Sequence, residues 1–151
     1  MKKEGKMLEQ LQQKAKEWVT SAVNFYKNSS KEIALAEFTN PKGPFVQESM
    51  YIFVLDTQGT MLAHGVNERY VGQSFMNMKD SAGKHFIQEL VNTANEAGSG
   101  WVDYHWYNPV TKEIKPKSVY FEKVDDMIIC SGVYIEALLD IISYNSVFPP
   151  L

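Results

Sequence analysis

The sequence predicts an α+β domain, a five-stranded antiparallel sheet with a long N-terminal helix and flanking helices. Three observations carry this. The stretch Gly100 to Tyr134, GWVDYHWYNPVTKEIKPKSVYFEKVDDMIICSGVY, holds three runs of aromatic and β-branched residues with strand-like alternation. Met50 to Asp56, MYIFVLD, is apolar on both faces, as a central strand is. Before, between and after these strands, apolar positions recur every three to four residues, the period of helices packed on a sheet.

At 151 residues the chain has the size of one domain, 1–151, with room for a core. An apolar content of 44% is that of a folded globular protein. A net charge of -3 argues against nucleic acid, which requires a basic face, and no basic run suits an anionic membrane surface. No run of about 18 apolar residues is present to span a membrane. The start, MKKEGKML, lacks the apolar region of a signal peptide. Cys130, inside a strand pattern and without a second cysteine, reads as a buried inert thiol.

In chain order, Leu8, Leu11, Ala15, Trp18, Ala22 and Phe25 define a helix from Met7 to Tyr26. Its seam is nearly heptad, which suits packing on its own sheet or on a second copy. Asn28-Ser29-Ser30 breaks it and caps a second helix, Lys31 to Phe38, which Asn40-Pro41 ends. After the proline-containing loop 41–44, Met50 to Asp56 turns through Thr57-Gln58-Gly59 into Thr60 to His64, a hairpin. Gly65 to Met78 is irregular. Asp80 caps a helix from Ser81 to Ala97, with Phe86, Leu90, Val91 and Ala94 as its apolar stripe, and Gly98-Ser99-Gly100 stops it. Strands Trp101 to Tyr107, Ser118 to Val124 and Met127 to Tyr134 follow, the last two joined at Asp125-Asp126. Ala137, Leu138, Ile141 and Ile142 mark a closing helix, Glu136 to Tyr144.

Alternation on Trp101 to Tyr107 puts Val102, Tyr104 and Trp106 on one face and Trp101, Asp103, His105 and Tyr107 on the other. The Tyr104–Trp106 face either lines a cavity or packs beneath the N-terminal helix, and the pattern leaves both open. Lys117, just after Pro116 at the mouth of the next strand, is the one cation among these aromatics; a lysine there is ordinarily solvated. The sequence supports no catalysis. His64, His85 and His105 lie roughly twenty residues apart without metal-ligand spacing. Gly98-Ser99-Gly100 is neither a phosphate loop nor a nucleophile elbow. No cofactor is expected.

The segments GWVDYHW, NPVTKE, PKSVYFE and IICSGVY, preceded by the Asp80 to Gly83 step and a helix, make the chain resemble the single Cache (sCache) sensor domain over roughly Met50 to Tyr134. That family is an extracytoplasmic relative of the PAS fold, found in chemotaxis receptors, histidine kinases and free-standing periplasmic proteins. Its members commonly bind small organic acids between sheet and helices. The resemblance implies a PAS-like core at 50–135, a long helix before it (7–27) and a closing helix after it (136–145). It also implies a non-enzymatic sensor of a pyruvate-, lactate-, acetate- or propionate-like acid in a periplasmic or extracellular compartment, the chain being a mature or excised segment. Lys117 matches the position expected to contact the acid, with Tyr104, Trp106 and Tyr120 as walls or hydroxyl donors. Strict alternation, however, puts Lys117 and Tyr120 on opposite faces. His64 and His85 are expected as second donors, His85 facing the sheet beside Phe86. Tyr51, Phe53, Phe75 and Met76 read as packing residues within reach of a ligand. The long helix of such sensors often dimerises, so a homodimer through it is the expected partner contact. The competing function is a Cache-like interaction module that binds no ligand.

Overall fold

The computed structural model describes residues 2–135, with side chains for residues 5–135. The expected helix at 136–145 lies outside the described residues. Two helices open the chain, α1 (Lys2–Lys27) and α2 (Lys31–Thr39). Ser30 caps α2, its hydroxyl accepting from the Ile33 N–H at 3.2 Å, so the break between the helices follows from local hydrogen bonding. The sheet comprises β1 (Val46–Gln47), β2 (Met50–Asp56), β3 (Met61–His64), β4 (Ser99–Asn108), β5 (Glu113–Val124) and β6 (Met127–Tyr134), with α3 (Phe86–Ala97) between β3 and β4. All pairings are antiparallel in the order β1-β2-β6-β5-β4, and β3 pairs with β2.

There are thus six strands where five were expected. The addition, β1, is two residues long and returns onto β2 through Glu48 at φ 56°, a turn that alternation cannot reveal in so short a run. At the other hairpin, Asp125 takes φ 56° in the Asp125-Asp126 turn.

The sheet separates two apolar clusters. On one face Ala15, Val19, Ala22 and Val23 of α1 and Ala34 and Phe38 of α2 pack on Ile52, Val54, Ile129 and Val133. Leu11, Trp18 and Phe25 border the same cluster, so the near-heptad seam of α1 meets its own sheet. Trp18 completes the docking by donating its indole N–H to the Phe45 carbonyl at 3.0 Å. On the other face α3, through Phe86, Ile87, Leu90 and Val91, and the 66–85 segment, through Phe75, cover Tyr51, Phe53, Tyr104, Val119 and Phe121. The Tyr104–Trp106 face therefore lies beneath α3 and this segment and not beneath α1.

Helix α1 starts at Lys2 and β4 at Ser99, each earlier than expected, and two further boundaries bear on the site. β5 begins at Glu113, well before Ser118, because Pro116 falls just past the last β5–β6 pair, Lys117↔Tyr134, where its missing N–H interrupts no ladder on that side. Lys117 is consequently inside a regular strand. Helix α3 begins at Phe86, not Ser81. Asp80 folds the chain back instead of capping a helix: its Oδ1 accepts from the Ala82 and Lys84 N–H groups at 3.0 and 2.9 Å. Gly83 takes φ 82° in that turn. The helix is stopped by Gly98, also at φ 82°, whose N–H bonds the Ala94 carbonyl.

Candidate ligand-binding site

A small cavity lies between the sheet and its α3 side, lined by Tyr51 and Phe53 of β2, Met61 and His64 of β3, Tyr104 and Trp106 of β4, Phe75, and Phe86 and Ile87 of α3. Each strand contributes residues two or three apart, the spacing that directs side chains to one face or, at His64, to the end of a short strand. The space open to the centre of a water-sized sphere is about 10 Å³, close to one water molecule. The walls interlock: Phe86 stacks on Tyr104 at 4.2 Å between centroids, and Tyr70 meets both His64 and Phe75 edge-on.

Behind the Tyr51–Phe53 wall lies Lys117, 1% exposed. Its Nζ donates to the Tyr51 hydroxyl at 3.0 Å and stands 4.3, 5.3 and 5.2 Å from the ring centroids of Tyr51, Phe53 and Tyr134. No carboxylate pairs with it among the described residues. The rings supply cation–π attraction, a weak substitute for hydration. Burial accordingly pulls the ammonium pKa down to about 7. The Tyr51 hydroxyl faces that of Tyr134, and Tyr134 donates to the Tyr107 carbonyl at 2.6 Å. Ammonium and phenols thus form a chain from the cavity wall to the end of β6.

The rest of the polar lining is also underused. His64 Nδ1 accepts from the Asn67 and Val66 N–H groups at 3.0 and 3.3 Å, which puts the proton of a neutral ring on Nε2. Burial, then the Lys117 charge, lowers its pKa to about 3, so the ring is neutral at physiological pH. Among the described residues no hydrogen-bond partner is found for the His64 Nε2–H, the Tyr104 hydroxyl or the Trp106 indole N–H. Three spare donors therefore face a largely apolar space, and the fully buried ammonium stands behind its Tyr51–Phe53 wall. That is a constellation suited to a small anion with an apolar remainder.

The family model described as Single Cache domain 2 matches residues 1–141. The chain belongs to the single Cache domain family. Its fold recurs in a methyl-accepting chemotaxis protein from Vibrio parahaemolyticus, 20% identical, with a TM-score of 0.78 over 91% of this chain and 97% of that one. A Cache chemosensory domain whose structure is described as the basis for carboxylic acid recognition is 25% identical, with a TM-score of 0.72 over 86% of this chain and 97% of the other. By sequence, 88 residues, 57% of the chain, are 31% identical to the sensor histidine kinase MctS of Rhizobium johnstonii. The chain covers 19% of that kinase's length. Single Cache domains are extracytoplasmic sensor domains of receptors and histidine kinases. Among the described residues, no helix is long and apolar enough to cross a membrane.

Within this Cache domain the expected site residues separate. Tyr104, Trp106 and His64 line the cavity, and Lys117 stands against its wall. Tyr120 is on the opposite face, with Trp101 at 5.2 Å and Lys16 over its ring, and its hydroxyl bonds Glu122 at 2.7 Å. It lies three positions after Lys117 in a regular strand, an odd offset, so the two cannot share a face. His85 is an exposed N-cap without a side-chain capping bond and does not turn toward the sheet, because the helix that was to carry it starts one residue later. Of the packing residues, Tyr51, Phe53 and Phe75 line the cavity, whereas Met76 packs against the surrounding core and does not line it. Sequence reasoning did not assign Met61 or Ile87 to the site. The alternation of β3 pointed to Met61, and the position beside Phe86 on α3 to Ile87.

Proposed function

We propose that this Cache domain is the extracytoplasmic sensing module of a chemotaxis receptor or sensor histidine kinase, and that it works by binding a short monocarboxylate rather than by catalysis. The observation that carries this is the buried Lys117 ammonium, which has a tyrosine hydroxyl and three aromatic faces around it but no carboxylate among the described residues. Uncompensated buried charge is costly, and a ligand carboxylate meeting Lys117 at the Tyr51 hydroxyl would supply the missing counter-charge. His64 Nε2–H, Tyr104 and Trp106 would donate to its oxygens, and Met61, Phe75 and Ile87 would enclose its apolar end. The carboxylic-acid recognition described for the 25%-identical Cache domain supports the same ligand chemistry.

The narrow cavity favours acetate, propionate, pyruvate or lactate over longer acids, since among its lining residues only the flexible Met61 yields easily. A ceiling of about -1.5 kcal/mol per heavy atom limits an acid of pyruvate's size to about micromolar affinity. The test is calorimetry and thermal shift against C2 to C4 acids, amino acids and amines. A monocarboxylate at about 100 times its Kd should add about 2.7 kcal/mol of stability. Lys117→Met should stay folded and lose that response, a loss of about 2–5 kcal/mol in binding. A flat panel with folded wild-type protein would favour an interaction module that binds no ligand.

A further inference from the structure

The Lys117 environment carries a consequence for how the site responds to pH. Among the described residues, every titratable group facing its ammonium on the cavity side is neutral or weakly polar: Tyr51 from β2, His64 from β3, Tyr104 from β4, and Cys130 and Tyr134 from β6. On the outer side a groove bordered by Lys117 also includes Asp80, Lys84, Asp103 and His105. Of these, Asp80 is held by backbone N–H groups and His105, and Lys84 reaches the Asp103 carbonyl and Glu89, so none is paired with Lys117. Burial disfavours the charged form, and among the described residues no neighbour is anionic enough to restore it.

We infer that carboxylate binding at this site is coupled to uptake of one proton, so that the domain responds jointly to its organic acid and to acidity. The inference rests on the monocarboxylate reading above. Without ligand the lysine surrenders its proton near neutrality; with a carboxylate against it, the charged form is held. The balance is Lys117–NH₂ + H⁺ + RCOO⁻ giving Lys117–NH₃⁺···⁻OOCR, the proton coming from solvent. No bond other than N–H forms. Burial holding the free lysine's pKa at about 7 puts the transition in the physiological range. Apparent affinity should then be flat on the acid side, down to the ligand's own carboxyl pKa. On the alkaline side it should fall tenfold for each pH unit.

Tyr51→Phe removes the hydrogen-bond acceptor of the ammonium and should move the midpoint to lower pH. Lys117→Arg keeps the charge at every working pH and should flatten the profile if it binds at all. The experiment is isothermal titration calorimetry of wild-type domain with propionate from pH 6 to 9, at pH 8.5 in phosphate and in Tris. These buffers differ in ionisation enthalpy, so their heats report protons taken up. Expected are close to one proton at pH 8.5, close to none at pH 6, and a Kd rising about tenfold per unit above the midpoint. Propionate binding with a pH-independent Kd and buffer-independent heat would overturn the coupling while leaving the carboxylate reading intact. No heat with propionate, acetate, pyruvate or lactate at any pH would overturn both. A ligand-free arm decides whether the lysine titrates. Wild type should gain stability relative to Lys117→Met as pH rises from about 7 toward 10, and parallel curves would overturn the coupling even if acids bind.

Discussion

Lys117 shows how one side chain can set both the energetics and the use of a site. Its folded pKa is lowered to about 7 from an ordinary 10.5. Below pH 7 both folded and unfolded chains carry the charge and the folded state bears the full burial penalty; between pH 7 and 10.5 only the unfolded chain binds the proton, so stability rises with pH across that window. The stem of Lys117 also needs Gly132. A Cβ there would stand 2.9 Å from Lys117 Cε and 2.7 Å from the Ser118 carbonyl oxygen, and the backbone oxygen cannot move aside. Gly132→Ala should cost about 1–3 kcal/mol in urea denaturation. It should also weaken acid binding by displacing the ammonium. His64 acts differently. Its Nδ1 serves two backbone N–H groups, so His64→Phe should cost about 1–3 kcal/mol even though ring stacking survives. Because burial and Lys117 hold its folded pKa near 3, wild type loses stability as pH falls from about 6.5 toward 3, where only the unfolded ring takes a proton. The phenylalanine variant should lack that component, which acid titrations of the two proteins would reveal.

Among the elements, the 66–85 segment closes the cavity, and its end is fastened by one carboxylate. Asp80 Oδ2 accepts from the His105 N–H of β4 at 2.9 Å while Oδ1 serves Ala82 and Lys84. Burial raises its pKa, but these bonds outweigh burial and hold it below the ordinary aspartate value. Asp80 therefore stabilises above the unfolded aspartate pKa, and this stability fades as pH drops through the folded one. Asp80→Ala should cost about 2–3 kcal/mol by leaving several N–H groups unserved. Hydrogen exchange should show faster opening at 80–85 while α1 and α2 stay protected. The same residue explains a boundary that the sequence pattern misplaced. Asp followed by an apolar periodic run resembles a helix cap, yet here the carboxylate turns the chain before the helix starts and leaves His85 outside. Tyr120 is the converse case, because alternation already forbade it to share a face with Lys117, and β5 proved regular through both.

At the scale of the whole molecule, the sheet divides two cores that perform separate work. The α1–α2 side binds the N-terminal helices to the sheet, and the α3 side holds the cavity. Val19→Ala, on the first side, should lower stability by about 1–3 kcal/mol yet leave the Kd for a bound acid unchanged within the folded fraction. Denaturation paired with calorimetry measures both. The α+β class, the order of helices and strands, and the family were legible in the chain because hydrophobic period, turn residues and the GWVDYHW to IICSGVY series are local properties. Lys117, Tyr104 and Trp106 stood out for a similar reason: a cation and large rings in strand patterns are conspicuous in one dimension. Tyr51, Phe53 and Phe75 were legible as packing residues near a ligand, but Met61 and Ile87 were not, since they come from a short strand and a helix that meet only through long-range pairing. Which face α1 covers and how Asp80 turns the chain likewise depend on tertiary packing, and the complete burial of Lys117 on the register of β5 between β4 and β6. That register places the lysine beside Tyr104 and Tyr134 and removes its ammonium from water.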